Sequence, residues 1–150
     1  MNRRVTVRAL VVKDGKILCA KLKPYHDSIK GDFWCTPGGG IDDGEALLPA
    51  LHREMMEETG IAPQIGDLLY IQQFVGGGSE HLEFFFHVTN SDDYLDIDLS
   101  KTSHGVEEIE TLTFIDPTAE KDVRPSFLMT EPVAAHIAAH EPPKLFAFFA

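Results

Sequence analysis

Cysteine is scarce: the 150 residues hold two, Cys19 and Cys35, at a spacing that suits no metal-ligand set. Both fall in strand-like stretches and read as buried, reduced thiols rather than a redox pair. Long apolar runs are missing too. Nothing approaches the roughly 20 residues with which a helix crosses a bilayer. The opening MNRRVTVRALVV is basic and then apolar, but it alternates, lacks a small-residue cleavage site and runs into a turn at Asp14-Gly15. It reads as a strand, not a secretion signal. A cytoplasmic protein with no membrane partner is the expectation. Positive charge is the third shortage. Thirteen Lys and Arg against 24 Asp and Glu leave a formal net charge of −11. That argues against a nucleic-acid polymer as partner, because backbone binding needs clustered Lys and Arg. A small anionic substrate stays open wherever local charge reverses the field.

What is present is an ordinary globular composition, 43% hydrophobic and 25% charged, long enough for one domain over 1–150 with a real core. Val5 to Val12 reads as a strand, Asp14-Gly15 as a hairpin turn and Ile17 to Leu22 as its partner. Pro24 to Gly31 reads as a polar loop. Phe33 to Thr36 is a short strand ended by Pro37 and three glycines. A helix follows from about Leu47 to Thr59, with Pro49 in its first turn and Gly60 placed to close it in the left-handed conformation. Leu68 to Val75 and His81 to Val88 form a second strand pair across Gly76-Gly77-Gly78. The acidic stretch Ser91 to Ser100 lacks the glycine and terminal glutamate of a calcium loop and reads as a solvated connection. Thr111 to Ile115 is another strand, and a last helix runs from Pro132 to about Ala139. Strands and hairpins surrounding two helices give an α+β layered domain with a mixed sheet.

The chemistry concentrates in GGIDDGEALLPALHREMMEETGI, Gly39 to Ile61. On a helix, Glu54, Glu57 and Glu58 lie at i, i+3 and i+4 within one roughly 100° arc. Leu47, Leu51 and Met55, with Leu48 beside them, make the apolar face. Like charges at this spacing cost a few tenths of a kcal/mol per pair. Glu57 and Glu58 also sit in the last turn, where the helix dipole disfavours anions by about 0.3–1 kcal/mol each. No lysine relieves them, and Arg53 has reach for one or two. A hard divalent cation removes the penalty, because Mg²⁺ and Mn²⁺ prefer carboxylate oxygens and accept phosphate oxygens as further ligands. Gly38, Gly39 and Gly40 allow a close backbone approach, so that a carbonyl can join the same ion.

This segment resembles the Nudix box, Gly-x5-Glu-x7-Arg-Glu-U-x-Glu-Glu-x-Gly-U with U a bulky apolar residue. Gly39, Glu45, Arg53, Glu54, Met55, Glu57, Glu58, Gly60 and Ile61 fill all nine specified positions, and FWCTPGG resembles the family's lead-in. The resemblance implies an α/β/α sandwich with a mixed β-sheet between helices, and hydrolysis of a nucleoside diphosphate linked to another moiety, using Mg²⁺ or Mn²⁺. It implies metal binding by Glu54, Glu57 and Glu58 with a carbonyl from the Gly39 region, and bracing by Arg53 and Glu45. Glu57 is the first candidate for the base. Some family members take that group from a later loop, where Glu107 and Glu108 stand.

Phosphate affinity has to be local in so acidic a chain, and Arg8, Lys21 and Lys23 on the first hairpin are candidates by position. Trp34, with Phe33, is a candidate wall for a base, although core packing is the commoner fate of such rings. His136 and His140 have helical i, i+4 spacing but no third ligand for zinc. ADP-ribose hydrolases of the family tend to carry a proline about fifteen residues past the box. Here Gly76-Gly77-Gly78 stands there, so the substrate is open, with a nucleoside triphosphate favoured. The alternative is a Nudix module that senses a nucleotide without hydrolysing it, a class with degenerate boxes. The apolar PPKLFAFFA suits packing on the core or an interface between two copies, and dimers are common in the resembled family.

Overall fold

The computed structural model describes residues 1–23 and 32–148. The expected polar loop Pro24 to Gly31 lies outside them.

β1 (Asn2–Lys13) and β2 (Lys16–Leu22) form the first hairpin, with Lys13 opposite Lys16. Its two turn residues, Asp14 and Gly15, both have positive φ, the geometry whose twist matches that of the flanking strands. β5 (Ile65–Gly76) and β6 (Ser79–Val88) form the second hairpin. Gly76 pairs with Ser79, and the turn is Gly77-Gly78, again at positive φ. β6 runs parallel to β1 from Asn2 opposite Ser79 to Val11 opposite Val88, so the two hairpins share one mixed, curled sheet. β3 (Trp34–Cys35) pairs with β2 and with β8 (Val123–Arg124), and β7 (Ile109–Ile115) with β2.

Two strands depart from the sequence reading. Gly38–Gly40 is not a turn that ends a strand but a strand itself, β4, antiparallel to Thr6–Arg8 of β1. Glycine is a poor strand former in general, and the sheet edge and α1 hold it here. The apolar tail supplies β9 (Lys144–Phe148), parallel to β5 from Tyr70 to Phe74.

The helices cover both faces. α1 (Leu47–Thr59) buries Ala50, Leu51 and Met55 against Val7, Ala9, Val11, Phe86 and Val88. Gly60 closes it at φ 74, donating its N–H to Met56 O. Leu48 is 47% exposed and does not belong to the buried face; Ala50 takes that place. α3 (Val133–Ala138) and Phe127 and Leu128 before it cover Leu10, Tyr70 and Phe85 on the opposite face. This is the layered α+β sandwich expected. A short helix, α2 (Gly105–Glu108), was not anticipated and carries Glu107 and Glu108. The acidic connection before it is anchored by buried Tyr94, whose hydroxyl donates to Ile61 O at 3.0 Å. No helix among the described residues is long and apolar enough to cross a membrane.

Candidate active site

The glutamate face of α1 meets the edge of the sheet at β4. A Cβ on Gly39 would lie 2.6–2.7 Å from the Glu54 carboxylate, so the absence of a side chain is what lets Glu54 rest against the strand. One turn on, Glu58 Oε2 accepts the Gly38 N–H at 2.9 Å. The helical arc places Glu58 with the outward carboxylates, but it is only 8% exposed. Burial pushes its pKa up to about 8, with Arg8 opposing the shift and Glu54 adding to it. Burial also raises Glu54, against the pull of Arg53.

Arg53 binds more than the sequence reading allowed. Its Nε and Nη2 donate to the two oxygens of Glu45 at 2.9 Å, Nη2 also donates to Gly40 O at 3.2 Å, and Nη1 is shared between Glu54 at 3.0 Å and Glu57 at 3.3 Å. A planar fork with five N–H groups makes this possible. The Arg53 hydrogen bonds hold Glu45 down at about 2, helped by the Asp42 N–H. Glu45 therefore stays ionised as the brace between the β4–α1 loop and the helix.

Arg8 reaches the same strand from β1. Nη1 donates to Thr36 O at 3.1 Å and Gly38 O at 3.3 Å, and Nε lies 3.7 Å from Glu83, which also accepts from Gln72 Nε2 at 3.0 Å. The other two hairpin candidates, Lys21 and Lys23, have protein partners. Lys21 pairs with Asp32 at 3.0 Å and lies over the Trp34 ring. Lys23 donates Nζ to Val106 O and its N–H to Glu108 O. Trp34 Nε1 donates to Glu120 at 3.2 Å, and its ring packs partly on the core. Glu107 is exposed, Glu108 half-buried. His136 is on the buried face of α3, whereas His140, past its end, is exposed. Sequence reasoning missed His104, whose Nδ1 stands 3.3 Å from Glu57 Oε2; no local motif marks a contact between residues so distant in the chain.

The carboxylates suit a hard divalent ion in kind: all are oxygen donors, and burial raises two of them, Glu54 and Glu58, a cost that a cation offsets. They are not gathered into a cage: among the described residues no cluster of three or more His, Cys, Asp or Glu is arranged to hold a metal. Glu54 lies at Gly39, Glu58 at Gly38, and Glu57 toward His104.

A model of the NUDIX domain matches residues 2–129. Over 69 residues, 46% of this chain and 39% of the other, the chain is 42% identical to an ADP-ribose pyrophosphatase of Methanocaldococcus jannaschii. Over 39 residues, 26% of this chain and 24% of the other, it is 54% identical to an RNA pyrophosphohydrolase of Novosphingobium aromaticivorans. The matched segments thus span well under half of those relatives. Among solved structures, a MutT NUDIX hydrolase from Burkholderia pseudomallei superimposes with a TM-score of 0.68 at 22% identity, over 86% of this chain and 96% of that one. That likeness concerns the fold.

Proposed function

This chain belongs to the Nudix family, and on that premise we propose that it is a divalent-metal-dependent pyrophosphohydrolase acting on a nucleoside diphosphate linked to another moiety, with a nucleoside triphosphate favoured. The observation that carries the reading is the joint between helix and strand: Glu54 laid against Gly39 and Glu58 bonded to the Gly38 N–H. Together with Arg53 they make one rigid acidic edge. Glu54, Glu57 and Glu58, with a carbonyl of the Gly39 region, would hold Mg²⁺ or Mn²⁺. The ion would supply neutralisation of the pyrophosphate and a lower pKa for the attacking water.

The chain's own residues do the rest. Arg53 and Glu45 keep the carboxylates in register with the loop. Glu57, 26% exposed at its side chain, takes the proton of the attacking water as general base. Glu108, half-buried, and the exposed Glu107 are the reserve candidates on α2. Arg8, fixed to the Thr36 and Gly38 carbonyls, shapes the strand on which the phosphates would rest, with Lys21 and Lys23 on the first hairpin and Trp34 on β3 as further candidates.

Release of phosphate or nucleotide products from a panel of nucleoside triphosphates, ADP-ribose and 5′-triphosphate RNA, with and without Mg²⁺, tests the reading. RNA ends belong in the panel because of the relative's name, although a charge of −11 opposes a polymer. Turnover should need the ion and fall in Glu57→Gln. Binding without turnover on every compound would favour the nucleotide sensor. As part of the same reading, the exposed Leu145 and Phe148 of edge strand β9 support pairing of two copies in the cytoplasm, which sedimentation measures directly.

A further inference from the structure

We propose that His104 is a positioning residue for Glu57. The inference rests on the reading of Glu57 as a working carboxylate and names what holds it in place. On its own helix Glu57 is hydrogen-bonded by Arg53, whose Nη1 is shared with Glu54. On the other side stands His104, with Nδ1 3.3 Å from Oε2. The ring's polar edge and Arg53 thus bracket the same oxygen. A carboxylate has about four lone-pair directions, so both neighbours leave acceptor capacity for water or an ion.

The placement of the ring is built into the backbone. His104 donates its own N–H to Glu57 O at 3.0 Å, at the end of α1 where helical carbonyls lack partners. The next residue is Gly105, where a Cβ would lie 2.5 Å from Glu58 O; only glycine lets the segment approach so closely. Thr102 Oγ1 donates to Leu99 O at 2.7 Å just before it. Lys23 secures the far side of α2 through Val106 O and Glu108 O. His104 thus meets Glu57 twice, by a main-chain hydrogen bond and by the approach of its ring, on a segment held between the end of α1 and Lys23.

The test compares His104→Ala with His104→Asn, whose amide nitrogen falls near the place of Nδ1. Steady-state kinetics are run with a nucleotide the enzyme turns over, and Mn²⁺ affinity is read by electron paramagnetic resonance without substrate. His104→Ala should lose about 10–100-fold in kcat or ion affinity, as loss of a supporting partner does elsewhere. KM should change little and the melting temperature should hold. His104→Asn should recover most of the loss. Wild-type kcat and Mn²⁺ affinity in His104→Ala overturn the proposal. So does equal impairment of both variants with a lowered melting temperature, which marks a purely structural residue. Glu57→Gln separates the levels: if it is fully active, the role of Glu57 falls and this inference with it. If it is inactive while His104→Ala is normal, only the inference about His104 falls.

Discussion

Replacing Glu58 by glutamine should stabilise the ion-free protein while abolishing its activity, and the size of the gain follows from burial. Glu58 is 8% exposed, with one hydrogen bond from Gly38 N–H. Its pKa stands at about 8 in the fold against an ordinary 4.5. A carboxyl raised in the folded state costs stability once the unfolded chain ionises and the folded one still holds its proton. The cost is absent below about pH 4.5, grows through the window up to about pH 8 and is constant above it. At about 1.4 kcal/mol per unit, the ceiling is about 5 kcal/mol, and relaxation around a buried charge reduces it to about 2–3 kcal/mol. Glutamine keeps an acceptor for Gly38 N–H and carries no charge. In EDTA at about pH 8, Glu58→Gln should therefore melt about 4–10 °C higher than wild type, with the advantage vanishing near pH 4.5. Mg²⁺ should raise the wild-type midpoint by mass action and leave the variant's nearly unmoved. Thermal unfolding followed by circular dichroism measures all of this. An advantage of equal size at low and high pH, or none at all, would refute burial of the charge as its cause.

Two further substitutions probe the same edge. Gly39→Ala puts a methyl where the Glu54 carboxylate rests; the side chain can swing aside, so the fold should survive while turnover falls about 10-fold or more. Arg53→Lys removes the fork that joins Glu45, Gly40 O, Glu54 and Glu57, and should cost about 1–3 kcal/mol in chemical denaturation together with most of the activity; near-wild-type behaviour in both assays would show that one point charge suffices.

The hairpin turns, the span of α1 and its glycine end were legible because each depends on local chemistry: positive φ at Gly15 and Gly60, and apolar spacing on one helical face. What was not legible depends on neighbours. Three glycines signal a turn by composition, yet β1 offers Gly38–Gly40 an edge, and the need to admit Glu54 explains why no side chain is there. Angular arithmetic put Glu58 with the outward carboxylates, but it stands at the boundary of the face, and the Gly38 N–H decides that it turns inward. Arg53 was credited with one or two partners because spacing along a helix does not count the loop and strand that come round to meet it. His104 and Gly105 lie far along the chain, and only the docking of α2 on the end of α1 brings them to the site. The tail's apolarity was visible; its pairing with β5 was not.

How so acidic a chain would handle an anion depends on which of its cations are already committed. Arg8 serves the Thr36 and Gly38 carbonyls and Glu83, Arg53 serves four carboxylates, Lys21 faces Asp32 and Lys23 faces Val106 O. None of these four is an idle positive charge for a phosphate. Under the proposed reading the phosphates then depend on the divalent ion, and the repelling glutamates are the receptor for it. Equilibrium binding of a non-hydrolysable nucleotide should therefore be lost in EDTA and return with Mg²⁺ or Mn²⁺. In Arg8→Ala the dependence on the ion should persist, because Arg8 acts on the strand. The alternative, direct capture by protein cations, predicts binding in EDTA that weakens steeply as salt screens it. Tight, salt-sensitive binding without the ion would sink the argument, since it would require a cation that the four named here do not supply.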